Sequence, residues 1–365
     1  MTAHVVVDAR LAGATGIGTY LRNTLPRIAA RHTEWRFTLI GPGELEGQDW
    51  VRFPGARLLR CDAPIYSVRE QVELPLLVPR DATLYWAPHF NIPIWLRAPL
   101  VATVHDLAHL RVDQNTRNPL RRLYSEAEFR AVRRRATSVM CDSEFTLGEF
   151  RELVGEPRRA VVVPCGVDAA WYDAPSSPPP MTTPYFVFVG NFKPHKNARV
   201  LLEAMAANAK HLDARLVMVV RLAGLRTQDT SIRPLVETLG DRVKLVSNVD
   251  DATLRRYVQH ATALVMPSLY EGFGLPPLEA MAAGTPALVA NAASLPEVCG
   301  DAAIYFDPAS VDQLAAAMRR IASDQALRAQ VRERGLRQAR RFSWDTTAEL
   351  AGRELAHALQ RADAA

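Results

Sequence analysis

Short apolar runs rich in Val, Ile and Leu alternate with longer stretches of helical periodicity through most of this 365-residue chain. A brief apolar run with polar ends suits a strand buried on both faces, and its alternation with helical patterns predicts parallel sheets covered by helices. The runs in the first half are HVVVDA, RFTLIG, TLYWAP, LVATVHD, SVMCDS and AVVVP, and those in the second are YFVFVGN, RLVMVV, VKLVSNV, ALVMPS, TPALVA and AAIYF. Between the two series lies DAPSSPPPMTTP, residues 173–184, whose prolines cannot sustain a helix or a central strand.

The expected fold class is therefore α/β, with two doubly wound Rossmann-like domains facing a central cleft, since ligands favour the carboxyl ends of such sheets. Length agrees, because single cores stop growing beyond about 250–300 residues. The sequence predicts an N-terminal domain over residues 1–174, a Pro-rich linker over 175–184 and a C-terminal domain over 185–342. A helical pattern at 343–365 follows, which either packs on the second domain or crosses back to the first.

Composition changes this picture little, whereas charge narrows it. Hydrophobic residues make up 48% of the chain and charged ones 23%, the balance of a globular protein with a substantial core. Splitting the chain after residue 180 gives 22 Lys+Arg against 20 Asp+Glu, then 22 against 19. So thin a spread of the basic excess argues against nucleic acid as a partner, which would draw the charge onto one face. Only four cations are lysines, Lys193, Lys196, Lys210 and Lys244. The four cysteines, Cys61, Cys141, Cys165 and Cys299, lack metal or redox spacing and read as buried thiols in a reducing compartment. With no signal-peptide pattern at the start and no apolar run near the ~20 residues that span a bilayer, the expected location is cytoplasmic, at most peripheral on a membrane. NPLRRLYSEAEFRAVRRRA, residues 118–136, is a cationic helix that suits either anionic lipid or a solvated face.

The segment SLYEGFGLPPLEAMAAGTP, residues 268–286, follows the run ALVMPS. Pro276 and Pro277 suit the first turn of a helix and Gly284 its end. Residues 271–275 would then offer backbone amides to an anion near a helix N-terminus, through Gly272, Phe273, Gly274 and Leu275. Glu271 and Glu279 bracket this loop. A carboxylate accepts hydrogen bonds from two adjacent hydroxyls, so one acid suits a sugar and the other a ribose, with phosphates between.

VGNFKPHKN, residues 189–197, gathers two of the four lysines in a chain that otherwise uses arginine. An ammonium is a good point charge for phosphate oxygens, which makes Lys196 the choice for a diphosphate contact, with Asn191 and Lys193 beside it. GATGIGTY, residues 13–20, has its glycines in an order different from the dinucleotide fingerprint, and Gly16 and Gly18 suit either tight packing or close approach to a ligand. VATVHDLAHL places His105 and Asp106 at a strand's carboxyl end, while His89 and Asn91 follow another in WAPHFNIP. The absence of D-x-D removes the usual metal clamp for a sugar diphosphate, and no Walker loop or H-E-x-x-H is present.

These residues resemble glycosyltransferase family 4, of GT-B architecture. The resemblance runs from TGIGTY through HDL, CDSEFT, VGNFKPHKN, PSLYEGFGLPPLEAMAAGTP and SLPEVCGDAAIYFDP to the terminal FSW. It implies transfer of a hexose from a nucleotide diphosphate sugar with retention of anomeric configuration, without a cofactor or an obligatory metal. The acceptor it implies is a glycan or a lipid-linked molecule in cell-envelope polysaccharide synthesis, with mannose from GDP-mannose the expected donor. By the same resemblance Glu271, Lys196 and His105 are the catalytic group, with Glu271 at the donor sugar, Glu279 at the ribose and Gly16 and Gly18 near the phosphates. Asp106, His89 and Asn91 are assigned to the acceptor side. Asn191 stands where many members carry arginine, and Cys165 where Asn is common. A nucleotide-sugar epimerase and a non-catalytic sugar-nucleotide-binding subunit are the alternatives these residues leave open.

Overall fold

The computed structural model describes residues 3–13, 15–112, 119–220 and 231–363. The chain forms two compact units, one built from Met1–Gly166 with Ser343–Ala365 and the other from Val167–Phe342.

The first unit is a seven-stranded parallel sheet interleaved with helices, in the chain order β1 (His4–Asp8), α1 (Thr15–Arg31), β2 (Arg36–Gly41), β3 (Ala56–Arg60), α2 (Val68–Leu77), β4 (Leu84–Ala87), β5 (Leu100–Val104), α3 (Ala108–Arg111), α4 (Pro119–Arg135), β6 (Ala136–Cys141), α5 (Glu144–Leu153) and β7 (Ala160–Val162). Its strand order is β3-β2-β1-β4-β5-β6-β7. Every strand of HVVVD, LYWA and LVATV is buried throughout, as a strand covered on both faces requires. β3 was not expected from the pattern. Its sequence ARLLR is only half-buried at the sheet edge, so it lacks the continuous apolar run that marks the inner strands.

The second unit is a six-stranded sheet with the elements β8 (Tyr185–Gly190), α6 (Ala198–Ala207), β9 (Arg215–Val220), α7 (Ile232–Leu239), β10 (Val243–Ser247), α8 (Asp251–Gln259), β11 (Ala263–Met266), α9 (Leu275–Ala282), β12 (Ala287–Ala290), α10 (Leu295–Cys299), β13 (Ile304–Phe306), α11 (Val311–Ser323) and α12 (Gln325–Ala339). The order is β10-β9-β8-β11-β12-β13, again all parallel. Both sheets therefore reverse their winding once, between β1 and β4 and between β8 and β11, and the crevice outside the carboxyl ends at such a reversal is where open sheets hold ligands.

The division of the chain falls at Gly166/Val167, ahead of the Pro-rich stretch. Residues 175–184 belong to the second unit. Carbonyls of Asp173, Ser177 and Pro178 meet Gln259 Nε2, His260 Nε2 and Arg256 Nε at 2.9 Å each, so prolines that cannot enter a sheet still lie against α8 and its end. The terminal helix α13 (Trp344–Asp363) packs on the first unit. Glu354 in α13 accepts from Ser138 Oγ at 2.9 Å and from both ends of the Arg159 fork at 2.7 and 2.8 Å. Trp344, Ala348, Ala351 and Leu355 on the same helix are buried. The helix thus supplies a face that the first unit's own sheet would otherwise expose.

Of the arginine-rich pattern at 118–136, residues Pro119–Arg135 form α4 and Ala136 begins β6, while residue 118 lies outside the described residues.

Candidate active site

In the second unit, β8 ends at Gly190 and the chain turns through a short 3-10 segment, Pro194–Lys196, before α6. Asn197 closes that turn at φ +53°, a left-handed conformation that Asn tolerates better than most residues. Its side-chain amide donates to the carbonyls of Pro267 at 3.0 Å and Pro308 at 2.8 Å. Those two bonds tie the β8 turn to the loops after β11 and β13, and the His195 carbonyl adds a third tie by accepting from Leu269 N at 2.8 Å.

The consequence is that Lys196 and Glu271, 75 residues apart, meet: Lys196 Nζ donates to both carboxylate oxygens at 2.7 and 2.8 Å. Both side chains are mostly shielded, with 18% and 11% of their surface exposed. An ammonium gripping both oxygens of a carboxylate leaves each group neutralised by the other.

The loop from Glu271 onward is held from below by Ser294, whose Oγ lies 2.9 Å from the Glu271 carbonyl and 2.8 Å from that of Phe273. Gly274 caps α9 at φ +108°, and a Cβ there would sit 2.8 Å from Leu295 Cδ2. Gly274→Ala is therefore expected to destabilise the second unit by about 1–3 kcal/mol, the scale of backbone strain at such a conformation, and to weaken donor binding; a thermal melt and a donor titration indistinguishable from wild type would overturn this reading. Because Gly274 is the cap, Pro276 and Pro277 occupy the second and third helical positions, where neither has an N–H to give. Amides for an anion are thus confined to the loop and Leu275.

Glu279 sits one turn into α9 and keeps only partial solvent contact. Burial pushes its carboxyl up to about 7, Asp251 and Asp168 add to the rise, and Arg255 and the Trp171 side chain oppose it. Asn191 Oδ1 accepts from Lys193 N at 3.1 Å, which shapes the turn, and the exposed Lys193 ammonium has no carboxylate within ion-pair distance among the described residues. Ser294, Asn197 and Trp171 are the residues that sequence reasoning missed. Ser294 stood in the quoted SLPEV run and Asn197 ended VGNFKPHKN, but nothing local marks a side chain that holds another loop's carbonyl.

In the first unit, Gly16 and Gly18 lie in the first turns of α1. A Cβ on Gly18 would meet the Ala12 carbonyl oxygen at 2.2 Å, whereas Gly16 has open space around its Cβ position. Tight packing explains Gly18, and no such packing constrains Gly16. His105 stands after β5 with Nδ1 2.7 Å from Asp142 Oδ2 and Nε2 3.0 Å from the Pro88 carbonyl. Burial works against the charged ring, yet Asp142 and the Pro88 carbonyl raise its pKa above the ordinary value. To reach a sugar, His105 must give up one of these partners. Asp106 Oδ1 accepts from Ala108 N at 2.9 Å and so begins α3.

Asn91 is buried and fully engaged, with Nδ2 donating to Glu70 Oε2 at 2.8 Å and Oδ1 facing Tyr124 Oη at 2.8 Å. It lines a small pocket with its amide committed to Glu70 and Tyr124. The pocket, lined by Asp8, Arg10, Ile65, Pro88 and His89 among others, lies where β1 and β4 end. His89 Nδ1 accepts from Asn91 N at 3.2 Å. Burial first, then His105, His109 and Arg10, hold His89 well below the ordinary imidazole range, and its Nε2 lies 3.3 Å from Tyr66 Oη. Beneath the pocket Arg10 bridges Asp8 and Glu70, each at 2.7 Å. Among the described residues no three His, Cys, Asp or Glu side chains gather as a metal set.

Two family models divide this chain between them. "Glycosyltransferase Family 4" matches residues 14–171 and "Glycosyl transferases group 1" matches residues 171–338. The chain belongs to the glycosyltransferases of GT-B fold, a class for which a nucleotide sugar is the fitting donor. Over 279 residues it is 32% identical to O-antigen chain mannosyltransferase B of Escherichia coli, covering 72% of this chain and 71% of that protein. A further 171-residue match, at 34% identity, is to the serotype-specific mannosyltransferase WbdA of Escherichia coli; it takes in 46% of this chain but only 21% of WbdA. In fold it is similar to sucrose-phosphate synthase from Thermosynechococcus elongatus, with a TM-score of 0.79, 21% identity and coverage of 97% and 98% of the two chains.

Proposed function

We propose that this glycosyltransferase moves mannose from GDP-mannose, with retention of configuration, to a glycan or lipid-linked acceptor in cell-envelope polysaccharide synthesis. The observation that carries the donor half is the Lys196–Glu271 contact, 2.7 and 2.8 Å, at the winding reversal of the second sheet. Mannose is supported by the two mannosyltransferase relatives, and the acceptor class by the O-antigen in the name of one.

In this reading the diphosphate takes Lys196 from Glu271 and is completed by the loop amides, while Glu271 turns to the sugar hydroxyls. Negative charge growing on the departing diphosphate as the anomeric bond breaks is then met by a preset cation and preset dipoles. The acceptor hydroxyl attacks from the face the leaving group vacates, and a phosphate oxygen receives its proton. His89 and Asp106 in the first unit are assigned to the acceptor, with Asn91 as the support of His89. Incubation with a panel of nucleotide sugars and oligosaccharide acceptors tests this: product is expected only with GDP-mannose, with an α-anomeric signal matching the donor, and another preferred donor or an inverted anomer would overturn it. Turnover is expected to survive EDTA, and a loss restored by added divalent ion would refute metal-independent transfer.

Glu279 gives the reading a pH signature. Its carboxyl holds a proton up to about 7 when folded, against an ordinary 4.5. The sign follows from linkage: a group that binds its proton more tightly in the folded state disfavours folding as pH rises from 4.5 toward 7. Ribose binding works the other way, because only the carboxylate accepts from both hydroxyls. Donor affinity measured by calorimetry is therefore expected to strengthen as pH rises from 6 to 8 in wild type, and to be weaker and lose that slope in Glu279→Ala. An unchanged dissociation constant in the variant would remove the ribose role.

A further inference from the structure

A series of aromatic rings runs outward from the core of the first unit at the carboxyl ends of its strands. His89 and Phe90 follow β4, His109 sits in α3 after β5, and Tyr66 lies between β3 and α2. Phe129 of α4 stacks on Phe90 with 4.2 Å between ring centres and 15° between planes, and Phe90 in turn stacks on Tyr66 at 5.9 Å and 25°. Exposure rises along the series, from 0% at Phe129 and 3% at Phe90 to 42% at Tyr66. The two imidazoles flank Tyr66 with ring centres 5.9 and 5.6 Å away, and its Oη lies 3.3 Å from His89 Nε2 and 3.5 Å from His109 Nε2. The series starts in the core and ends on a ring partly open to solvent.

Tyr66 is also held in a conformation that a bulky residue resists. Its φ is +63°, a left-handed value that is an outlier for a large side chain, persists only where the surroundings impose it, and collects at ligand sites. Here the flanking residues impose it. Ser67 Oγ donates to the Pro64 carbonyl at 2.6 Å, and Ser67 opens α2 in a capping box with Glu70, whose carboxylate is held in turn by Arg10. An aromatic face fixed in this way needs little further ordering when a ligand arrives. The charges beside it are matched: Arg10 meets Asp8 and Glu70, and Arg111 of α3 meets Glu149 and Glu152. A neutral ligand with an apolar ring face therefore fits better than a phosphate.

We propose that Tyr66, backed by Phe90, is the stacking platform for a pyranose ring of the acceptor, with the ring edges of His89 and His109 beside the sugar hydroxyls. A pyranose carries C–H groups on its face and hydroxyls around its rim, which matches an apolar ring bordered by polar nitrogens. The proposal rests on the reading that the first unit takes the acceptor, and it deepens that reading: what the acceptor presents here is a sugar ring rather than a bare lipid phosphate.

The test is titration calorimetry of the full chain, without donor, against trisaccharides of mannose, glucose and galactose. Wild type is expected to bind at least one of them. Tyr66→Gly removes the ring but adopts φ +63° without strain, so the turn survives. It is expected to weaken that binding about tenfold, the scale of one aromatic contact, and to leave the dissociation constant for sugar nucleotide unchanged. Tyr66→Phe keeps the ring and is expected to stay within about threefold of wild type. Wild type that binds sugar nucleotide but none of the trisaccharides overturns the platform and leaves the donor assignment standing. Equal affinity in Tyr66→Gly, as large a loss in Tyr66→Phe as in Tyr66→Gly, or displacement of the trisaccharide by inorganic phosphate overturns it as well.

Discussion

Lys196→Ala is expected to lower turnover by about two to three orders of magnitude, the loss that follows removal of one group aimed at charge developing in a transition state. Lys196 sits on a turn fixed by Asn197 through two carbonyls and grips Glu271 with both carboxylate oxygens in reach. Its removal takes away the cation paired with Glu271 and leaves a shielded carboxylate without its partner. Glu271→Gln separates the two effects: it keeps the shape and removes the ion pair, while Lys196 stays available to phosphate. Donor affinity is expected to fall most in Lys196→Ala, and the rate of the bound complex in Glu271→Gln. Single-turnover rates with donor saturating measure the split, and near-wild-type rates for Lys196→Ala would end the assignment.

Arg10→Met is expected to be the most damaging single change to stability. Asp8 and Glu70, the latter wholly buried, both point at this guanidinium from 2.7 Å. Burial opposes its charge, yet its acidic neighbours hold it more firmly protonated than an arginine in water. Breaking a buried charge network by removing one partner costs about 3–5 kcal/mol, because the remaining charges stay in a low-dielectric setting. A loss of that size lowers the melting point of a unit this large by roughly 6–20 °C. Arg60→Met is the control, since the Arg60–Asp62 pair lies on the surface, where ion pairs contribute little. Calorimetry in which the two variants melt alike would show that the Arg10 network is not what holds this end of the first sheet.

The inner strands and the Glu271 loop could be read from the chain because their physics is local. A strand buried on both faces must be a continuous apolar run, and a loop entering a helix must carry glycine and proline at fixed places. β3 escaped because an edge strand is half-wet and the exposed Arg57 and Arg60 interrupt its leucines. The unit boundary was misplaced for a related reason: prolines announce the end of regular structure, and residues 175–184 have that character, but whether such a stretch spans two units or lies along one depends on partners such as Arg256 and His260, far away in the sequence. The same limit applied to Asn91. Its position after a strand was visible, while its two buried partners, Glu70 and Tyr124, were not. His105 was visible as a candidate, and its engagement by Asp142 and Pro88 was not.

The return of α13 to the first unit sets an order of events in the cell. The face that Trp344, Ala348, Ala351 and Leu355 cover is made of residues synthesised before the second unit, whereas these four follow it. Domains tend to fold as they leave the ribosome, and here the second unit has every residue it needs before the first does. The N-terminal unit therefore waits, with apolar surface open, for a helix that follows the whole of the other unit. A chain cut short before Trp344 would keep a sound second unit beside an unfinished first one, and its fate would be decided by chaperones and proteases rather than by chemistry.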